Sequence, residues 1–183
     1  MIDWTNCPDV ESVPGRCSGA WVVKDSRVMV HGILNNAAAG CSAAEIADMF
    51  TVPSAAVRRI VAFAEAREPT AEQELYDIIL DLVRQNCTYG ENDDAFDSWA
   101  ISAYEGAIIA LEEAGYVAYD GPGRIGGKLT EQGRMFEAWM ALHDRRKRIA
   151  DARRYLATVP GATERRKSVA RLYDINVADL DQP

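Results

Sequence analysis

Between Gly40 and Ala66 the chain carries unusually dense helix punctuation, and this constrains the fold more than any other stretch. Ser42-Ala43-Ala44-Glu45 is a capping box: the serine oxygen accepts from a free backbone N–H of the first turn, and the glutamate reaches back to the cap. A helix over Ala43 to Phe50 follows, with Ile46, Met49 and Phe50 as its apolar stripe. Thr51-Val52-Pro53-Ser54 then turns the chain into a second helix, Ser54 to Ala66, which carries Val57, Ile60, Val61 and Ala64 on one face. Upstream, Val30 to Ala39 reads as a short helix ending at Gly40, where glycine tolerates the left-handed conformation of a helix terminus. The outcome is three helices, the last two joined by a short turn.

Around this core the same logic extends. Gly19 to Val30 holds two short β-type runs about a polar turn, read as a small hairpin or a pair of short strands. Arg67-Glu68-Pro69 interrupts the helical pattern, so a domain boundary is drawn near Glu68. Thr70 and Gln73 form a second capping box, opening an amphipathic helix with Leu75, Ile78, Ile79, Leu82 and Val83 at helical spacing. Cys87 to Asp97 reads as a polar loop or a short helix. Ser102 to Glu105 is a third capping box, before a helix with Tyr104, Ile108 and Leu111 on one face that ends at Gly115. Tyr116 to Tyr119 is β-type, Gly121 to Gly127 is a glycine-rich turn, and Lys128-Leu129 is a return strand. Thr130 caps a long helix with Phe136, Trp139, Met140 and His143 on one side, followed by the basic run Arg145, Arg146, Lys147 and Arg148. Pro160-Gly161 breaks the chain, and a last short helix spans Thr163 to Tyr173.

The fold expected from these patterns is mainly α: a small β-hairpin with a three-helix unit over residues 1–67, a second unit over 70–157 with a long basic helix, and a short helix and tail over 158–183. At 48% hydrophobic and 26% charged residues the chain is apolar enough to pack a core. No run reaches the roughly 18 to 20 apolar residues of a membrane span, and Met1-Ile2-Asp3-Trp4 lacks the opening of a signal peptide, so a cytoplasmic location is expected. Cys7, Cys17, Cys41 and Cys87 are scattered without metal-ligand spacing, which points to reduced thiols and no metal.

The net charge of −8 is unevenly spread. Residues 1–123 carry 7 basic against 20 acidic side chains, residues 124–173 carry 13 against 5, and the last ten add 3 acids. Such a split suits a C-terminal face that binds a polyanion or an acidic surface; a solvated amphipathic helix is the plain alternative. The acids Glu91, Asp93, Asp94 and Asp97 could meet the basic run but lack the calcium-loop pattern. Gly121 to Gly127 is followed by Lys128-Leu129-Thr130 and lacks the phosphate-loop pattern. His31 and His143 have no nucleophile and carboxylate at suggestive spacing, so no enzyme and no cofactor are expected.

Asp3-Trp4, Val10 to Gly15, Gly19 to Lys24, Arg27 to Val30, Gly40 and Ala44-Glu45-Ile46 together resemble the bacterial family catalogued as domain of unknown function 433. After the lysine that family commonly reads Gly-Thr-Arg, a hydrophobic residue, then Pro-Val; here the stretch is Asp25-Ser26-Arg27-Val28-Met29-Val30. The resemblance, which covers about a third of the chain, implies a hairpin followed by a homeodomain-like helix-turn-helix, with Ser54 to Ala66 as recognition helix. It also implies an antitoxin-like role beside a PIN-like toxin. More weakly, Leu111 to Val117, the glycine-rich hairpin and Leu129 to Arg134 are similar to a winged helix.

These readings lead to expected partners and sites. Double-stranded DNA, bound by a homodimer, is expected at Ser54, Arg58, Arg59 and Arg67 on and after the recognition helix, at Arg124 and Lys128 on the wing, and at Arg145, Arg146, Lys147 and Arg148. Against the second module stand Glu105, Glu112 and Glu113, which would repel phosphate from its groove-entering helix. The alternative is a protein-interaction adaptor that binds a toxin or another protein through its acidic and basic surfaces without DNA.

Overall fold

A computed structural model describes residues 2–87, 95–96, 105–119, 127–159, 161 and 163–181. Two strands, β1 (Val10–Ser12) and β2 (Trp21–Val23), pair antiparallel with Val10 opposite Val23 and Ser12 opposite Trp21. The expected hairpin therefore exists with a different first strand. The run after the Asp25 turn contributes a single bridge, Met29 to Val22, because Met29 is already the N-cap of the next helix and Val30 is drawn into the core.

That helix, α1 (Val30–Ala38), buries Val30, Ile33, Leu34 and Ala37, the i, i+3, i+4, i+7 stripe of an amphipathic helix. α2 (Ala43–Phe50) opens on the capping box, with Glu45 N–H donating to Ser42 Oγ at 3.3 Å and Ser42 N–H to Glu45 Oε2 at 2.7 Å. Three residues later α3 (Ser54–Glu65) begins, burying Ala56, Val57, Ile60 and Ala64. α4 (Ala71–Cys87) is capped by the Thr70 and Gln73 exchange.

Of the expected α4 stripe, Ile79 packs against the core, the side chains of Leu82 and Val83 lie outside the described residues, and Leu75 and Ile78 depart from the expectation. Leu75 and Ile78 are more than half exposed, whereas Leu80 is buried and Tyr76 meets the Tyr116 ring edge-on at 5.5 Å. Residues 75, 76, 78, 79 and 80 are all apolar and cover most of the helix circumference, so spacing could not choose between faces; the aromatic contact does.

In the second unit α5 (Glu105–Glu113) buries Ile108 and Leu111. Three short strands, β3 (Ala95–Phe96), β4 (Val117–Ala118) and β5 (Gly127–Leu129), form an antiparallel sheet in the order β3-β5-β4. The expected strand and return strand are β4 and β5. The Ser102 cap, the turn residues Gly121 to Gly126 and the acids Glu91, Asp93, Asp94 and Asp97 lie outside the described residues.

α6 (Glu131–Thr158) is the spine of the molecule. Thr130 Oγ1 caps it by accepting from Gly133 N–H at 2.9 Å, and its 28 residues extend about 42 Å. Its first half buries Met135, Phe136, Trp139, Met140 and Leu142 in one apolar cluster that also holds Trp4, Ile33, Ile60, Leu80 and Leu111. Phe136 stacks on Tyr116 at 4.3 Å, Trp139 Nε1–H donates to Ala64 O at 3.3 Å, and His31 Nδ1 lies 2.7 Å from Glu131 Oε1. The boundary drawn near Glu68 falls in the connection from α3 to α4, and the apolar core continues across it. At Gly133 an added Cβ would lie 2.1 Å from the Tyr116 carbonyl oxygen, so this close approach requires glycine.

Beyond Leu142 α6 leaves this core. Ala152 packs with Val169 and Ala170 of α7 (Arg166–Leu172) and with Leu180 of a terminal 3-10 turn, forming a smaller second cluster. Among the described residues no helix is long and apolar enough to cross a membrane.

Candidate nucleic-acid interface

The inward stripe of α3 dictates what is left outside. With Ala56, Val57, Ile60 and Ala64 buried, the exposed side chains are Ala55, Arg58, Arg59, Ala62 and Ala66. Two guanidinium groups thus stand among alanines, which leave room for a close approach. The one acid of the helix, Glu65, is only partly exposed, and burial pushes its carboxyl above the ordinary carboxylate range. Ser54 accepts from Arg58 Nη1–H at 2.8 Å across one helical turn.

Arg59 is held by a partner that the sequence did not indicate. Its Nε–H and Nη2–H donate to the two oxygens of Asp9 at 2.6 and 2.5 Å, a bidentate fork joining α3 to the residue before β1. The side chain of Asp9 is 12% exposed and that of Arg59 is 59% exposed, so the carboxylate is covered while the guanidinium remains accessible. The arginine's hydrogen bonds hold the Asp9 carboxyl below its usual range. Fifty positions separate the two residues, and no local pattern links them.

Arg67 behaves differently. Its Nη1–H donates to Phe63 O at 2.6 Å and its guanidinium sits 3.5 Å above the Phe63 ring, a ring that itself stacks on Trp4. This is a cation over an aromatic face closing the end of α3. Lys128 is exposed on β5, opposite Ala118 of β4 and Ala95 of β3. Arg124 lies outside the described residues.

Each of the four basic residues of the α6 run has a carboxylate of its own chain. Arg145 donates to Asp179 Oδ2 at 2.7 Å, and Lys147 donates to Glu74 Oε1 at 2.8 Å. Arg146 pairs with Glu68 and also donates to the Glu65 carbonyl. Arg148 lies 3.6 Å from Asp174. The run therefore ties α6 to the end of α3, to α4 and to the C-terminal turns. Opposite charge was legible in the composition, but these particular acids were not.

Between Arg146 and Trp139, His143 is 5% exposed, and neither ring nitrogen has a hydrogen-bond partner. Glu68 Oε2 approaches Nδ1 at 3.4 Å without satisfying it. Burial is the main cause that lowers the pKa of this imidazole; Lys147 and Arg146 act in the same direction, against Glu68 and Asp144. Among the described residues no group of three His, Cys, Asp or Glu side chains is placed to hold a metal ion.

No curated protein and no solved structure matches the chain. Residues 10–64, from β1 to the penultimate residue of α3, match the model of the family described as Protein of unknown function (DUF433).

Proposed function

We propose that the chain is a non-enzymatic, cytoplasmic, DNA-binding regulator, antitoxin-like in its first third, which as a homodimer lays α3 in the major groove of double-stranded DNA. The observation that carries this reading is the outward face of α3: Arg58 and Arg59 exposed among alanines, on a helix that follows α2 after three residues. A groove-entering helix needs slim side chains and cations that can meet phosphate oxygens or guanine edges. In this reading α1, α2 and α3 act as a homeodomain-like helix-turn-helix, and the Asp9 fork orients Arg59 while leaving its remaining N–H donors for DNA.

The β4 and β5 pair that follows α5, with β3 from before α5 on the other edge of β5, supports reading the second unit as a winged helix. Glu113 is exposed on α5, however, and a carboxylate there opposes phosphate, so DNA contact is assigned to the first unit with Lys128 as an accessory. A second reading, a protein adaptor beside a PIN-like toxin, is favoured by the internal pairing of the α6 cations, which leaves less positive charge for a polyanion.

Fluorescence anisotropy with duplex DNA from upstream of the chain's own gene tests the proposal. Arg58→Ala, whose one partner among the described residues is Ser54 on the same helix, is expected to weaken binding and to lower the slope of log K against log salt by about 0.9 for each phosphate no longer neutralised. Binding that is insensitive to salt and unchanged by Arg58→Ala would refute it. A stoichiometric protein partner with no DNA binding would select the adaptor.

A further inference from the structure

The pair that Arg59 makes with Asp9 divides the donors of one guanidinium in a particular way. Its Nε–H and one Nη2–H go to the two Asp9 oxygens, at 2.6 and 2.5 Å. Among the described residues Asp9 is its one partner, so the outer edge remains: an Nη1–H and the second Nη2–H, parallel and in one plane. The Asp9 side chain is 12% exposed and the Arg59 side chain 59% exposed, so the fork is held from beneath and open above. Ala55 one turn before Arg59 and Ala62 one turn after it are both exposed, and neither is long enough to screen that edge.

Charge separates Arg59 from its neighbour. A carboxylate in contact cancels much of the field that would draw Arg59 to a phosphate. Arg58 touches only the neutral Ser54 hydroxyl, at 2.8 Å, and keeps its full charge for that task. A held pair of parallel donors instead matches two acceptors side by side. On the major-groove edge guanine presents such a pair, O6 and N7, whereas adenine sets an N6–H donor beside its N7.

We propose that Arg59 is the base-reading residue of α3, taking guanine O6 and N7 through its outer N–H pair, and that Asp9 is the positioning residue that holds the fork. This rests on the DNA reading above and adds to it a base and a division of labour, with Arg58 meeting phosphate.

Selection of duplexes with a randomised core on the full chain, followed by anisotropy with the enriched duplex, tests this. Enriched sites are expected to share a guanine. Replacing it by 7-deazaguanine, which lacks the N7 acceptor, is expected to weaken binding about tenfold, whereas inosine, which keeps O6 and N7, is tolerated. Arg59→Lys supplies a point charge without the fork and is expected to bring the preference for guanine over 7-deazaguanine down to about one. Asp9→Asn is expected to lower that preference while tightening binding to a duplex of unrelated sequence, because a negative charge is lost. A pair that served only to join β1 to α3 would weaken both duplexes alike. Arg58→Ala is expected to weaken both and to keep the preference. The proposal is overturned if the enriched sites share no guanine, if guanine and 7-deazaguanine bind alike, or if Arg59→Lys keeps the preference; salt-sensitive binding that Arg58→Ala weakens would then still uphold the DNA reading. An unchanged preference in Asp9→Asn removes Asp9 from its role, and enrichment of no duplex at all overturns both readings.

Discussion

Asp77 offers the sharpest quantitative check on how the units are joined. It lies on α4, is largely covered, and feels Asp144 of α6 and Asp81 of its own helix. Lys147, the nearby cation, is engaged with Glu74. Burial first, and then the two carboxylates, push its pKa from 3.8 up to about 6. A shift of roughly two units corresponds to about 3 kcal/mol against folding when both states are ionised, and partial access of water reduces this to about 1–2 kcal/mol. Between the unfolded value of 3.8 and the folded value near 6 the folded chain holds the extra proton, so this penalty is absent below the window and complete above it. Asp77→Asn removes the charge at constant shape. It is expected to raise stability at pH 7.5 by about 1–2 kcal/mol, or about 2–4 °C in Tm per kcal/mol for a chain of this size. Near pH 4 the gain shrinks to about 0.5 kcal/mol or less. Urea unfolding at the two pH values measures both numbers. A variant less stable than the parent at pH 7.5, or a gain that persists undiminished at pH 4, would refute the reasoning, since the first denies the repulsion and the second denies that it titrates.

Two further predictions concern the spine. His143 has the opposite linkage: its folded pKa is lowered, so stability is complete above about 6.5 and is lost as pH falls through that value toward the folded one. In the Asp77→Asn background, which removes the opposing titration, His143→Leu is expected to flatten the loss of urea midpoint between pH 7.5 and 5; an unchanged acid slope would sink the idea. Gly133→Ala should cost about 2–4 kcal/mol despite the better helix propensity of alanine, because its Cβ would meet the Tyr116 backbone oxygen and the Leu129 side chain. Thermal melting reads this directly, and an unchanged or higher Tm would contradict the close approach.

Elements whose signals are local could be read from the residues alone. Ser42 with Glu45, Thr70 with Gln73, and Thr130 each start a helix where their spacing predicted, since a cap requires only residues within one turn. The exposed arginines of α3 were legible for the same reason: a buried stripe at helical spacing fixes the opposite face. Long-range packing set which strand β2 pairs with, which side of α4 turns inward, and which carboxylates neutralise the basic run of α6. Each of these joins residues far apart in the chain, and several partners of equal chemistry were available. Asp9 and Arg59 show the limit most clearly: an acid and a base fifty positions apart become a bidentate pair only because β1 and α3 pack on one core, and packing is a property of the whole chain.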